Sequence, residues 1–178
     1  MKGIIFTQFA DFISERFGLI TWQTILDNTA LEADGCYVGT MTYPDHEFMQ
    51  LFGAACSVSE RDGVQMQIEF GQWLFPHLLQ KSPPEVRLID NLTDFLFSID
   101  TVIHVEVKKL DPEAKTPSLQ CTQLDANTLC LNYLSSRSMG YLAQGLIEGA
   151  ANHFKQVISV DVTPSESPEQ YQLKVHLL

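Results

Sequence analysis

The chain has 178 residues, 45% of them hydrophobic, which suffices for one sizeable core and makes a single domain the default organisation. Twenty-two acids against eleven bases give a net charge of −11, so most of the surface repels phosphate backbones and anionic lipid, arguing against nucleic acid or membrane as partner. The apolar opening is broken by Gln8, Asp11 and Glu15 and reads as neither signal peptide nor membrane span. Cys36, Cys56, Cys121 and Cys130 form no CxxC or Cys/His ladder, the pattern of reduced thiols in cytosol, although Cys121 and Cys130 are spaced to face each other across a hairpin.

In chain order, Ile5, Phe6, Phe9, Phe12, Ile13 and Phe17 recur at three- and four-residue spacing and predict a helix over residues 3–17, closed by Gly18. A second short helix is expected over 21–28, then a polar stretch to Tyr43-Pro44, then amphipathic helices over 45–58 and 64–80 around the turn Glu60-Arg61-Asp62-Gly63. Pro83-Pro84 interrupts the pattern. Asn91 is placed to cap a long helix carrying Leu92, Phe95, Leu96, Ile99, Val102, Ile103 and Val107 inward.

Beyond Pro112, residues 118–123 and 129–133 read as strands around the turn Asp125-Ala126-Asn127. A helix over 138–154 follows, and 157–163 with 171–177 forms a second hairpin around residues 164–168. Nothing repeats and no long linker intervenes. The expectation is one α+β domain over 1–178, with a helical N-terminal subdomain over 1–60 and a C-terminal part over 61–178 carrying the long helix and antiparallel strands.

His104 lies seven residues after Phe97, about two helical turns, and is therefore expected on nearly the same face, beside the apolar stripe. A neutral imidazole there can ligate heme iron, but a histidine in an apolar helix is more often a core residue bonded to backbone. In Tyr133-Leu134-Ser135-Ser136-Arg137, alternation at the end of a strand puts a phenol, a hydroxyl and a guanidinium on one side, a set suited to buried carboxylates; on spacing alone an ordinary strand end with a surface arginine is the favoured reading. Gly145 and Gly149 make a small-residue face that admits either a flat ligand or a neighbouring helix.

Together these segments resemble the heme-nitric oxide/oxygen-binding (H-NOX) family, related to the heme domain of soluble guanylate cyclase. The resemblance rests on the opening MKGII, the His104 helix with Lys108-Lys109-Leu110 and Pro112, the Pro117 segment, the Y-x-S-x-R run and the GLIEGAANHF helix from Gly145. It implies a four-stranded antiparallel sheet and a heme b, ferrous, held between the helical N-terminal and the C-terminal parts. By the same resemblance His104 is the proximal iron ligand, Tyr133, Ser135 and Arg137 hydrogen-bond the propionates, and Pro117 and Ile5 press on the porphyrin.

Oxygen-binding members carry a distal tyrosine three residues before the glycine of the Gly-Leu-Ile-Glu-Gly run, where this chain has Leu142. Phe9 and Leu74 stand where an aromatic N–H donor and an amide would complete that network, so with Gly145 the distal pocket reads as apolar. Tyr141 and Trp73 are each one residue away, about 100° around a helix. The resemblance thus implies a sensor of NO and CO that excludes O2. NO binding would weaken the iron–His104 bond and free the helix to shift, a two-state element biased by one metal–ligand bond.

No enzyme motif is visible, and no effector segment follows before Leu178. The expectation is a non-enzymatic, stand-alone, cytoplasmic monomer that regulates a histidine kinase or a diguanylate cyclase/phosphodiesterase in trans. The alternatives are a heme-free apolar-ligand or scaffold domain of the same fold, and an O2 or redox heme sensor. His46, His77, His153 and His176 have no partners at ligand spacing.

Overall fold

The computed structural model describes residues 1–112 and 114–178, with Leu110 described by its backbone alone. The chain divides into two compact units, Met1–Met66 and Gln67–Leu178. The division falls inside a helix, a few residues past the 60/61 seam expected from the sequence.

The first unit holds α1 (Gly3–Phe17), α2 (Leu19–Asp27), α3 (Asp45–Ser59) and the start of α4 (Gly63–Gln80). The three- and four-residue spacing in α1 turns Phe6, Phe9, Phe12 and Ile13 to one side, all fully buried, with Phe6 and Phe9 against Phe48 and Phe9 also against Phe52 of α3. Gly18 ends α1 at φ 95°, a conformation that residues with a Cβ rarely adopt, and α2 starts directly after it, two residues before the predicted start.

The second unit continues α4 and adds α5 (Pro84–Arg87), α6 (Leu92–Ser98), α7 (His104–Leu110), β1 (Ser118–Asp125), β2 (Thr128–Leu134), α8 (Gly140–Phe154), β3 (Ile158–Pro164) and β4 (Gln170–Leu177). Asn91 caps α6 as the sequence indicates, its side chain accepting from the Asp94 amide at 2.9 Å. The long helix is not uniform, however: residues Ile99–Ile103 form a π-helical segment between α6 and α7. Closing i→i+5 turns the chain less per residue, so the phase set by α6 is lost beyond it. Phe97 is consequently 38% exposed while His104 turns inward, and the shared face predicted for them does not form.

The two hairpins join through β2 and β4 into one antiparallel sheet of order β1-β2-β4-β3, and the fold is α+β. Cys121 pairs with Leu131 and Cys130 with Thr122, so the two thiols are not opposite one another and both are free. Leu119, Leu129, Leu131, Leu173 and Val175 line the sheet's inner face against α6 and α8. Among the described residues no helix is long and apolar enough to cross a membrane.

α4 and α8 meet backbone to backbone. A Cβ on Gly145 would overlap the carbonyl of Ile68, and one on Gly71 would lie 2.6 Å from the carbonyl oxygen of Leu142. The small-residue face of α8 therefore serves helix packing, and Gly145 abuts α4 rather than open space. Gly145→Ala must force the helices apart and is expected to cost about 1–3 kcal/mol. Thermal unfolding would then show a Tm lower by roughly 3–10 °C, and an unchanged melt would contradict this packing.

Candidate functional site

The second unit contains a cavity of about 870 Å³, counted to its open mouth. Phe75, Leu78 and Leu79 of α4, Phe95 and Leu96 of α6, Ile99 and Ile103 of the π segment, and Leu142, Ala143, Leu146 and Ile147 of α8 make it apolar. Val86, Pro117, Leu119 and Met139 complete the wall, and Ser82, His104 and Tyr133 are its polar members. The Ser82 hydroxyl is spent on the Leu79 carbonyl at 2.7 Å.

His104 enters this wall as the first residue of α7. Its Nδ1 lies 2.6 Å from Asp100 Oδ1. The second Asp100 oxygen accepts from the Leu119 amide at 2.7 Å and from Ser118 Oγ at 3.2 Å. A carboxylate has no proton to give, so Nδ1 donates and Nε2 is the nitrogen left for the cavity. This is the pattern of a metal-ligating histidine, whose far nitrogen is usually fixed by a carboxylate or carbonyl. Asp100 was not singled out from the sequence, although its i,i+4 spacing to His104 was a readable signal.

Tyr133, Ser135 and Arg137 are brought together, but not by strand alternation. β2 ends at Leu134, and Ser135 begins a turn fixed by its amide on the Glu169 carbonyl and its own carbonyl accepting from Ser138. The Arg137 amide donates to Ser135 Oγ at 3.3 Å, and Arg137 Nη1 donates to the Lys115 carbonyl at 2.6 Å. Burial pushes the Tyr133 phenol above its ordinary value, opposed by hydrogen bonds with Ser135 and the Met139 main chain and by the Arg137 charge. Only Tyr133 of the three reaches the cavity wall.

Of the other expected positions, Pro117 and Leu142 line the cavity, whereas Leu74 is buried on α4 without reaching it. Gly145 is likewise off the wall, for the packing reason given above. Ile5 and Phe9 belong to the first unit, where Phe9 sits in an aromatic cluster with Phe12, Phe48 and Phe52. Tyr141 packs edge-on to Tyr171 at 5.9 Å, and Trp73 stacks on His77 at 4.0 Å; neither lines the cavity.

The fold and this site define an α+β domain with a single imidazole presented to an apolar cavity. The Haem-NO-binding family model matches residues 2–162, and the chain belongs to that family. The H-NOX protein from K. algicida in its unliganded Fe(II) form superposes with a TM-score of 0.92 at 27% identity, covering 100% of this chain and 97% of that one. The H-NOX protein from S. oneidensis in its Fe(II)NO ligation state gives 0.91 at 29% identity, covering 100% and 99%. Soluble guanylate cyclase 89Db of Drosophila melanogaster is 25% identical over 166 residues, 92% of this chain; the match spans only 24% of that protein's length.

The direction of the Tyr133 shift has a consequence for stability. The native state holds the phenolic proton more tightly than the unfolded chain, so this contribution is complete below pH ~10 and is lost as pH rises beyond it. Urea unfolding at stepped pH is expected to show wild type losing stability above pH ~10 more steeply than Tyr133→Phe. The other raised groups, Tyr37, Cys56, Cys121 and Tyr171, are common to both proteins. Parallel curves would show that the burial of Tyr133 is not felt.

Proposed function

We propose that the chain binds ferrous heme b in this cavity, with His104 Nε2 as the proximal ligand, and senses NO and CO on behalf of a separate signalling protein. The observation that carries the reading is the lone imidazole on an apolar wall whose outer nitrogen is already committed to Asp100. Bound heme would supply an iron centre able to take up a diatomic gas. Everything else in the proposal is done by the chain's own side chains.

Tyr133, Ser135 and Arg137 hold the propionates, the arginine by charge-assisted hydrogen bonds. Pro117, on the cavity wall, and Ile5 press on the porphyrin. Leu142, with Phe75, Leu78 and Leu146, keeps the gas side free of donors, and a polarised bound O2 needs a donor that NO and CO do not. Phe9 and Leu74 add apolar bulk and no donor to their helices. Because His104 stands at the junction of the π segment and α7, a pull on Nε2 or its release acts on that junction, and through Asp100 on the start of β1. The protein reading this shift is a histidine kinase or a diguanylate cyclase/phosphodiesterase, met by a cytoplasmic monomer.

Optical spectra of the heme-loaded protein, reduced without air, test the reading. Addition of NO and of CO is expected to shift the spectrum, and O2 to give no stable oxy complex. A stable oxy form in wild type would contradict the apolar-wall argument, and failure to bind heme would favour a heme-free apolar-ligand domain. Leu142→Tyr places a hydroxyl on the wall, and one hydrogen bond to a charged acceptor is worth about 1.5–3 kcal/mol. The variant should raise O2 affinity by roughly 10- to 100-fold and so show an oxy spectrum where wild type shows none; a variant spectrum that O2 leaves unchanged would contradict the donor argument.

A further inference from the structure

We infer that Asp100 is a positioning residue that fixes the tautomer of His104 and so sets how readily the imidazole binds a metal. The inference rests on the heme reading above, but its core is a property of the chain without any ligand.

Asp100 lies in the π segment and makes three hydrogen bonds, with His104 Nδ1 at 2.6 Å, the Leu119 amide at 2.7 Å and Ser118 Oγ at 3.2 Å. One of these partners is constrained. The Leu119 N–H is a donor and nothing else, and it demands an acceptor. A carboxylate meets it with one oxygen and keeps the other as an acceptor, so His104 must carry its proton on Nδ1. Nε2 is then a bare lone pair facing the cavity, the form required of a metal ligand. The Ser118 hydroxyl is adaptable and decides nothing, because it donates or accepts as needed.

An amide of the same shape reverses the result. In Asp100→Asn the carbonyl oxygen is claimed by the Leu119 N–H, which turns the NH2 group towards His104. Nδ1 becomes the acceptor, the proton moves to Nε2, and the face that would meet iron carries an N–H. Asp100→Ala has no such preference: the ring is loosened but keeps access to both tautomers. The near-isosteric substitution is therefore the more damaging one for ligation, which is the opposite of what a purely structural aspartate would show.

The test is made first on heme-free protein with 15N-labelled histidine, at pH about 8, where an ordinary imidazole is neutral. Two-bond nitrogen–proton spectra identify the protonated ring nitrogen. Wild type should show His104 protonated at Nδ1 and Asp100→Asn at Nε2. Heme titration of the same proteins should give affinity in the order wild type, Asp100→Ala, Asp100→Asn, with the asparagine variant weakened about 10- to 100-fold. In any ferrous protein that still loads, the iron–histidine Raman stretch should fall when Asp100 is replaced. An Nε2-protonated ring in wild type overturns the inference even if neither variant folds. So does an asparagine variant that keeps the Nδ1 proton and binds heme better than the alanine variant. If wild type has the stated tautomer but takes up no heme, the heme reading fails and the tautomer assignment stands.

Discussion

The hydrogen bonds of Asp100 are the constraint on which the site depends. One oxygen holds the His104 ring, and the other holds the amide of Leu119, nineteen residues further along the chain at the start of β1. A hydrogen bond to a charged group contributes about 1.5–3 kcal/mol. Its loss would also strand an amide at the edge of the core, next to a residue that is itself 7% exposed. The carboxylate thus ties the histidine, the π segment and the first strand into one unit, so a displacement of His104 is passed to the sheet instead of being absorbed by rotation of its ring.

The apolar wall facing that histidine has a different origin. α4 and α8 approach so closely that Gly71, Gly145 and Gly149 have no room for a side chain, and this places Phe75, Leu142, Ala143, Leu146 and Ile147 on the cavity wall. The sheet contributes Leu119 and Tyr133 to the same wall, while Leu129, Leu131, Leu173 and Val175 fill the core beside them. A polar, adaptable element on one side and a close-packed apolar one on the other is the division of labour expected of a small-molecule site, where a few placed polar groups set orientation within an otherwise hydrophobic pocket.

Much of the fold was legible because it follows simple periods. The 3–17, 45–58 and 64–80 helices, the Asn91 cap and both hairpins fall within a few residues of where spacing and turn residues put them. The π segment was not legible, since a face predicted at 3.6 residues per turn has no means of announcing an i→i+5 turn; this is why Phe97 and His104 part company. Strand alternation was carried past the end of the second strand to Ser135 and Arg137; the strand stops at Leu134, yet the turn there brings them to Tyr133 anyway. Asp100 was overlooked although its i,i+4 spacing to His104 was readable; what no local pattern encodes is its long-range bond to the Leu119 amide. Gly145 looked ambiguous between ligand and helix, and only the position of Ile68 decides for the helix.

The attachment of heme through His104 is tested most directly by titrating heme into purified apoprotein, comparing wild type with His104→Gly in the presence and absence of imidazole. Wild type is expected to take up one heme per chain with a five-coordinate ferrous spectrum. The glycine variant should bind weakly or not at all until free imidazole fills the space the side chain has left, restoring a wild-type-like spectrum. A glycine variant that binds heme as tightly as wild type, with the same spectrum and no response to imidazole, would contradict His104 as the ligand.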